Sequence, residues 1–399
     1  MGWGKGALER GGVMGQARGV VTVVVGLVML LAGTATVRFG GGAAGRTEVR
    51  CGDTITTSTR LTRDLSCPGT EVPALHVAGE GVILDLGGHT VRRVGSRTGV
   101  SEGIRVSADS TVRNGTIRGF DRGYVAGGES LPSPERVGLS GLTFIDNVIA
   151  VYNRGGDTTL TVTDCRLIGN GSGLGSEQDA SRGVFEVRSS FFLGNQLALS
   201  ANSHSVDVVG STFLQNETVI WCPYGRVSFT SSSIVRNTVV GDLRFGQSGY
   251  GVCLEASFVQ TVLARNGSLA ATDVPVWEPF NFVLRDSWVI ENGGELLVRA
   301  RTVDVQGNTW WENGSGLTLA DLPEYVPPEL TGGVSGNRFL RNQGDGLRVL
   351  VSSTLTVSRN VAIDNTGWGL HVPGVIDGGG NVARGNDAGG CVGVVCASR

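Results

Sequence analysis

Two carboxylates and one arginine have types and spacing that could support acid–base chemistry. Glu186 and Arg188 are the second and fourth residues of the segment FEVRS (185–189). Asp207 is the second residue of the next similar segment, VDVVG (206–210). If the segments are stacked strands, the carboxylates point outward about 5 Å apart, with the guanidinium nearby. Such a pair could act on a sugar or bind a cation. The alternative is a solvated surface ladder with one ion pair, and a Ca²⁺ site would need more oxygen ligands.

Aromatic side chains suggest a second kind of site, in segments that lengthen a repeat. Such insertions lie near 122–137, 171–183, 241–253, 269–281 and 320–333. The candidate substrate-binding rings in them are Tyr124, Tyr250, Trp277 and Tyr325. Because the insertions fall at equivalent points, a solenoid would display them from one side, often the binding side. Sugar stacking is one interpretation of these rings, and packing against the solenoid is the other.

Four further residues follow the repeat marker in an outward column: Tyr152, Asp242, Arg348 and His371. They are expected to come from distant coils and not to form one compact site. The four His residues are scattered and there is no CxxC, so neither a metal site nor a cofactor is predicted. A net charge of −3 with mixed signs argues against a nucleic-acid partner.

These residues must be positioned by a repeat that runs through most of the chain. Eleven segments share a small or polar residue, two or three strand residues and then Asn. The marker Asn residues are Asn147, Asn170, Asn195, Asn216, Asn237, Asn266, Asn292, Asn313, Asn342, Asn365 and Asn386. They are 21 to 29 residues apart. A coil of this length holds three short strands, and stacked coils build a continuous core.

The repeat predicts an all-β, single-stranded, right-handed parallel β-helix with about eleven Asn-marked coils. The apolar residue three positions before each marker should point inward, and the small or polar residue five positions before should form a ladder at a turn. The marker Asn is suited to a turn with left-handed backbone geometry, and its side chain is expected to hydrogen-bond along the stack. Cys165 falls in the ladder column, which predicts a buried free thiol and not a nucleophile.

The N-terminus predicts export. The expected divisions are a polar cytoplasmic n-region (1–18), an uncharged hydrophobic helix (19–37), a linker (38–50), the β-helix (51–390) and a Cys-closed tail (391–399). The hydrophobic segment suits a cleaved signal peptide or a retained transmembrane anchor. Both alternatives stay open, as does a start at Met14, and both place the β-helix outside the cytoplasm.

Seven cysteines fit an oxidising compartment. Their proximity along the chain predicts three disulfides, Cys51–Cys67, Cys222–Cys253 and Cys391–Cys396. The first and last would close the open ends of the solenoid, where unpaired strand edges invite association.

The segments CGDTITTSTRLTRDLSCPGT (51–70), GVILDLGGHTVRR (81–93) and GIRVSADSTVRNGTIRGF (103–120) resemble secreted right-handed parallel β-helix repeat proteins of actinobacteria, in the pectate-lyase-like superfamily. With the Asn-marked coils, the resemblance covers roughly residues 51–390. It implies the fold, and activities that include polysaccharide lyases, glycoside hydrolases, epimerases and non-catalytic relatives. The paired-Asp, Gly-His-Gly and Arg-Ile-Lys motifs of polygalacturonases are missing, since Gly88-His89-Thr90 does not match.

The function expected from these observations is an exported protein, secreted or membrane-anchored, that binds a polysaccharide or cell-envelope glycan. The sequence leaves open whether the protein also cleaves the glycan, as a lyase or a hydrolase. The alternative is a non-catalytic structural or adhesion module of the cell envelope. A cluster of acidic residues and Arg in a groove would favour the first function, and its absence would favour the second.

Overall fold

The computed structural model describes residues 48–70, 72–96, 99–127, 134–154, 156–176, 183–241, 253–270, 281–294, 296–320, 330–351 and 353–397. The chain divides into two units, residues 1–47 and residues 48–399. The predicted N-terminal hydrophobic helix belongs to the first unit and lies outside the described residues. Within the described ranges, no helix has the length and apolar character needed to cross a membrane.

The second unit is all-β, and its strands stack in parallel as a solenoid of about thirteen turns. The predicted solenoid fold is therefore confirmed. Each regular turn contributes one strand to each of three sheets, which we call sheets 1, 2 and 3. Within one repeat the chain runs along sheet 2, then sheet 3 and then sheet 1.

Sheet 1 follows the marker Asn residues. Its strands in the described residues are Asp53–Ile55, Leu75–Val77, Glu102–Val106, Arg122–Ala126, Ile149–Asn153, Ser172–Ser176, Leu197–Ser200, Thr218–Trp221, Val239–Gly241, Ser268–Ala270, Leu296–Arg299, Leu317–Ala320, Leu347–Val349, Trp368–His371 and Gly389–Val392.

Sheet 2 contains the strands that precede the first turn of each repeat. They are Thr59–Arg60, Val82–Asp85, Thr159–Thr163, Val184–Arg188, Ser205–Val209, Arg226–Thr230, Glu255–Val259, Asn281–Arg285, Thr302–Gln306, Thr331–Ser335, Thr356–Ser358 and Ile376–Gly379. Two longer strands, Ser110–Arg118 and Arg136–Ile145, run through both sheet 2 and sheet 3.

Sheet 3 contains the short strands that lead to the marker Asn residues. They are Leu65–Pro68, Thr90–Val94, Arg166–Ile168, Phe191–Leu193, Thr212–Leu214, Ser233–Val235, Val262–Ala264, Trp288–Ile290, Thr309–Trp311, Arg338–Leu340, Val361–Ile363, Asn381–Arg384 and Cys396–Ala397.

The residue three positions before each marker Asn points into the solenoid, as predicted. From Phe144 to Ala383, these side chains are at most 6% exposed. Aromatic members stack from coil to coil, and the ring centroids of Phe192 and Phe213 are 4.5 Å apart. This column is the centre of one continuous core, which a single coil could not bury alone.

The marker Asn residues form a hydrogen-bonded ladder between sheet 3 and sheet 1. In a typical rung, Asn237 Nδ2 donates to Asn266 Oδ1 (3.0 Å) and to the carbonyl oxygen of Phe213 (3.1 Å). Asn237 Oδ1 accepts from the backbone N–H and from Nδ2 of Asn216, at 2.8 and 3.0 Å. Both donors and both lone pairs of the amide are therefore used, which a buried amide requires. The predicted bonding of the Asn side chains along the stack is confirmed.

The prediction that the marker Asn itself takes the left-handed conformation was wrong by one residue. The positive φ belongs to the residue before it, for example Arg236 (φ 56°) and Glu291 (φ 51°). The marker must turn its side chain inward to join the ladder, so the outward residue at the bend takes the left-handed geometry. That geometry costs about 1–2 kcal/mol in a non-glycine residue, and the ladder bonds offset it.

A second ladder, five residues before each marker, lies between sheet 2 and sheet 3, as predicted. The N–H of Ser190 donates to Ser211 Oγ (3.1 Å), and the N–H of Ser211 donates to Ser232 Oγ (3.2 Å). Cys165 joins this ladder through its N–H, which donates to Ser190 Oγ (3.1 Å). It is a buried free thiol, as predicted. Burial raises the pKa of this thiol to about 12, so it is not a nucleophile at neutral pH.

All three predicted disulfides are present: Cys51–Cys67, Cys222–Cys253 and Cys391–Cys396. Their Cα separations of 5.5, 4.9 and 6.1 Å suit such bonds. The first and last join residues at the two ends of the described solenoid. Three disulfides are typical of proteins in oxidising compartments.

Candidate functional site

The structure places the predicted carboxylates side by side on the outer face of sheet 2. Glu186 and Asp207 are register partners on adjacent coils. Arg188 Nη2 donates to Glu186 Oε2 (3.3 Å), and Ser228 Oγ on the following coil donates to Asp207 Oδ1 (2.6 Å). The side chains of Glu186 and Arg188 are 36% and 52% exposed. Each carboxylate therefore already has a hydrogen-bond partner on a face that water reaches.

Further ion pairs continue along the same face. Arg226 Nη1 lies 3.0 Å from Glu255 Oε2 on the adjacent coil, and Arg285 pairs with Asp304 in the same way. Exposed pairs of this kind contribute about 0–1 kcal/mol each. The outer face of sheet 2 thus has the character of a solvated ladder of ion pairs, the alternative that the sequence left open.

The prediction that Tyr124 stacks on a sugar is wrong, because its side chain lies inside the solenoid. It is 0% exposed, and its register partners Ile104 and Val151 are also buried. Its hydroxyl has no hydrogen-bond partner among the described residues, and burial raises its pKa.

The other predicted substrate-binding rings, Tyr250, Trp277 and Tyr325, lie outside the described residues. The segments 242–252, 271–280 and 321–329, which contain them, each leave the described chain after a strand of sheet 1 and rejoin it at or just before a strand of sheet 2. The insertions therefore leave from one corner of the solenoid, as their positions in the repeat predicted.

A compact cluster of polar and aromatic side chains lies near the C-terminal end of sheet 1. Asp345 and Arg348 are the third and sixth residues after one marker Asn, and Trp368 and His371 hold the same positions after the next marker. Arg348 and His371 are register partners on adjacent coils. The expectation that Arg348 and His371 come from distant coils was therefore wrong.

Asp345 is the centre of this cluster. Its Oδ1 accepts a hydrogen bond from the backbone N–H of Trp368 (2.7 Å). Its Oδ2 lies 3.9 Å from both Arg348 Nε and His371 Nδ1. The rings of Trp368 and His371 are stacked, with centroids 6.0 Å apart and planes inclined by 24°. The side chains of Asp345, Arg348 and His371 are 18%, 48% and 33% exposed, so all three reach solvent.

Two glycines make room for the cluster. A Cβ atom at Gly367 would overlap Asp345 Oδ1, and one at Gly389 would overlap the indole ring of Trp368. The indole ring therefore lies against the backbone of the next coil, which fixes its position. The cluster combines a flat apolar ring with a carboxylate that accepts hydrogen bonds, a guanidinium that donates them and an imidazole that can donate or accept.

A second charged cluster on sheet 1 is centred on a buried carboxylate. Glu102 is 3% exposed, and its carboxylate lies 2.6 Å from Arg105 Nη2 and 3.6 Å from Arg122 Nη1. The guanidinium of Arg122 lies 4.3 Å from the ring centroid of Tyr152. A buried carboxylate needs such partners to offset its lost hydration, so we interpret this cluster as structural.

Sequence reasoning missed Asp345 and Trp368 because it considered a single outward column after the markers, the column that contains Arg348 and His371. The strand Trp368–His371 is instead partly exposed at its two ends and buried at both central residues. A search for chemistry at the third and sixth positions after consecutive markers would have found the cluster.

Neither a protein-family model nor a curated protein sequence matches the chain. Among solved structures, the chain is similar to the catalytic unit of a thermostable GH87 α-1,3-glucanase from Streptomyces thermodiastaticus strain HF3-3. The two chains are 12% identical with a TM-score of 0.40, and the match covers 84% of this chain and 64% of that chain. This chain therefore spans slightly less than two thirds of the length of that structure.

Proposed function

We propose that the protein binds a glycan chain at the cluster of Asp345, Arg348, Trp368 and His371. The observation that carries this proposal is the indole ring held beside a carboxylate, a guanidinium and an imidazole on two adjacent coils. An aromatic ring offers an apolar surface to the C–H face of a sugar, while the polar groups match its hydroxyls. A few convergent polar groups beside an aromatic surface are typical of ligand sites.

The strands that hold the cluster in place favour ligand binding. Trp368 and His371 belong to a strand between two hydrogen-bonded neighbours, and the marker Asn that precedes this strand is part of the buried ladder. A site on a rigid strand loses little conformational entropy when a ligand binds.

The ligand class we propose is an extracellular polysaccharide or a cell-envelope glycan. Three disulfides support an oxidising location outside the cytoplasm. Attachment to the membrane through residues 19–37, as anchor or as cleaved signal, remains a prediction from the sequence.

Glycan cleavage is a second candidate function, carried by Glu186 and Asp207 with Arg188 beside them. Adjacent coils are spaced about 4.8 Å apart, close to the ~5–5.5 Å between carboxyl groups in retaining glycosidases. The pairing of Glu186 with Arg188 and of Asp207 with Ser228 favours a surface without catalysis. Binding without cleavage is therefore the function that the geometry supports best.

The binding proposal can be tested by affinity electrophoresis of the full chain in gels that contain neutral glucans or uronic-acid polysaccharides. We expect at least one glycan to retard the protein, and Trp368→Ala to weaken retardation at least tenfold. The matched control is Trp221→Ala, a partly exposed tryptophan on the same sheet. Absence of retardation by every glycan, or equal losses in both variants, would reject the proposal.

Cleavage is tested separately on the same glycans by measuring new reducing ends and unsaturated sugar ends. We expect no product from the wild-type protein. Product formation that is abolished by Glu186→Gln and retained by Trp221→Ala would instead establish the second candidate function.

A further inference from the structure

One outward column of sheet 3 is apolar along ten consecutive coils, while the neighbouring column mixes apolar residues with Thr, Ser and the exposed Arg166 and Arg338. The residue two positions before each marker points outward, because the residue three positions before points inward. We call these ten residues the apolar stripe: Ile145, Ile168, Leu193, Leu214, Val235, Ala264, Ile290, Trp311, Leu340 and Ile363. Eight of them are partly exposed, while Ala264 and Ile290 are 1% and 6% exposed. At about 4.8 Å per coil, the stripe is about 43 Å long. Beside it, Trp288 is 50% exposed.

A solvated sheet face normally carries polar residues, as sheet 2 does with Glu186, Asp207, Ser228 and Ser257 in one column. A contiguous apolar surface of several hundred Å² marks an interaction site. We propose that a second copy of this chain docks on the apolar stripe in an antiparallel arrangement. The twofold axis runs parallel to the strands and crosses between the coils of Ala264 and Ile290.

The sizes of the outward side chains on sheet 3 support this partner. The two coils before the axis carry Ser233, Val235, Val262 and Ala264, and the two coils after it carry Trp288, Ile290, Thr309 and Trp311. The twofold operation reverses the coil order. Trp288 of one protomer then meets the partner's Val262, and Trp311 meets the partner's Val235. Each protomer offers one raised and one recessed half, which a self-complementary interface needs.

Charges along the edge of the stripe follow the same symmetry. The left-handed residues of the four central coils are Arg236, Arg265, Glu291 and Glu312, two positive and then two negative. With the axis parallel to the strands, these edges lie on the same side in both copies. Within each protomer Arg265 Nε lies 2.7 Å from Glu291 Oε2. Under the twofold operation this ion pair faces its own copy, with Arg265 opposite the partner's Glu291, and Arg236 faces the partner's Glu312. Such complementary edge charges set the register of an interface.

A parallel dimer fits the same surface less well. A twofold axis along the solenoid would place each coil against the same coil of the partner. It would also bring the edge of sheet 3 where the strands begin against the partner's edge where they end. Glu291 would then face the partner's Asp286, which is also acidic. Like charges across an interface select against that arrangement.

The available area suits a dimer. A strip about 43 Å long and five strand residues wide, about 16 Å, offers about 700 Å² per protomer. Standard protein interfaces bury about 800 Å² per partner.

The first test is sedimentation equilibrium of the full chain and two variants. We expect the wild-type protein to dimerise and Trp288→Asp to raise the dimer dissociation constant at least tenfold. The matched control, Val283→Asp, replaces a partly exposed apolar residue of sheet 2 on the same coil and should leave the dimer intact. Thermal melting of each variant shows whether it is folded. A monomeric wild-type protein, or equal effects of both changes, would overturn the proposal.

The second test addresses the antiparallel arrangement by cysteine crosslinking. Ser233→Cys combined with Thr309→Cys should give a covalent dimer with a bis-maleimide reagent that reaches about 10 Å, because these positions face each other across the axis and packed sheets are about 10 Å apart. Within one chain the two positions are three coils apart, about 14 Å, which is beyond the reach of that reagent. The control pair on sheet 2 of the same coils, Thr230→Cys with Gln306→Cys, should not crosslink. Crosslinking of both pairs, or of neither, would reject this interface.

Discussion

The corner between sheet 3 and sheet 1 differs in construction from the corner between sheet 1 and sheet 2. At the first corner, one residue type occurs eleven times, and ten of these Asn residues donate Nδ2 to the Oδ1 of the next marker. At the second corner, the stabilising contacts differ from coil to coil. They include a buried His204 bonded to Asn153 and the Cys222–Cys253 disulfide, and other coils have an insertion there.

This difference separates two tasks. The Asn corner sets the register of the stack, because each amide bonds to the coils before and after it. The other corner can accept insertions because no continuous ladder depends on its length. It is stabilised by contacts that concern one or two coils only. Four predictions test this contrast, beginning with the largest expected effect.

Removing one rung of the Asn ladder should be the most damaging single change. Asn237→Ala leaves the Phe213 carbonyl and the N–H and Nδ2 of Asn216 without these partners, and it removes one of the two bonds that residue 237 donates to Asn266 Oδ1. At about 1–3 kcal/mol for each buried group, partly relieved by water, we expect a loss of about 3–5 kcal/mol. Urea unfolding measures it. Thr238→Ala, at the exposed neighbour, should stay within about 0.5 kcal/mol. A loss below about 1 kcal/mol in Asn237→Ala would contradict this account of the corner.

The disulfide at the insertion corner should come next. Cys222→Ser with Cys253→Ser opens a loop with a sequence separation of 31 residues, and the chain-entropy model assigns about 3–4 kcal/mol to such a loop. Urea unfolding should show this loss under oxidising conditions and none relative to the wild type in reductant. A loss that persists in reductant would mean that packing of the cysteines, and not the bond, stabilises the corner.

The buried histidine of the insertion corner predicts a pH dependence. His204 is 1% exposed, its Nδ1 lies 2.7 Å from the carbonyl oxygen of Asn202, and burial lowers its pKa. The folded protein therefore favours neutral imidazole, while the unfolded chain binds a proton near pH 6.5. The free energy of unfolding should be level above that pH and fall as the pH decreases below it. His204→Gln should flatten this slope in an unfolding series from pH 8 to 5. An unchanged slope would assign the acid sensitivity to other groups.

The smallest effect should come from relieving backbone strain at the Asn corner. Gln215 precedes its marker with a φ of 55°, and the corresponding residues of the two preceding coils are glycines. Gln215→Gly should raise the free energy of unfolding by about 0.5–1 kcal/mol, since relief of left-handed strain exceeds the entropy lost to glycine. Thr212→Gly, on the strand of the same coil, should lower it by a similar amount. Destabilisation by Gln215→Gly would show that the bend tolerates its side chain without strain.

Most of the fold could be predicted from the sequence. The spacing of the marker Asn residues predicted the coils, and the inward column from Phe144 to Ala383 followed from its fixed offset. Both ladders and the buried thiol of Cys165 also followed from position in the repeat, because each coil repeats these features at the same distance from its marker. The three disulfides followed from the proximity of their cysteines along the chain.

The candidate site was less accessible to sequence reasoning. Arg348 and His371 were noticed but were separated, while Asp345 and Trp368 were not identified. The strands of sheet 1 bend, so that two consecutive residues such as Gly369 and Leu370 are both buried. Alternation with period two therefore does not identify the outward residues of these strands. Tyr124, which the sequence assigned to an insertion, belongs to the strand Arg122–Ala126.

The sequence by itself determined the coil, its inward residues and its ladders, because these depend on local spacing within one repeat. The sequence also placed Glu186 beside Asp207 on sheet 2, but only the tertiary structure decided which outward residues of sheet 1 meet. Register partners are 21 residues apart at Glu186 and Asp207 but 29 apart at Arg226 and Glu255, since insertions at the free corner vary in length. The ladder absorbs that variation and keeps the coils aligned. Contacts such as that between Asp345 and His371 therefore arise from the alignment of the stack and not from any constant spacing in the chain.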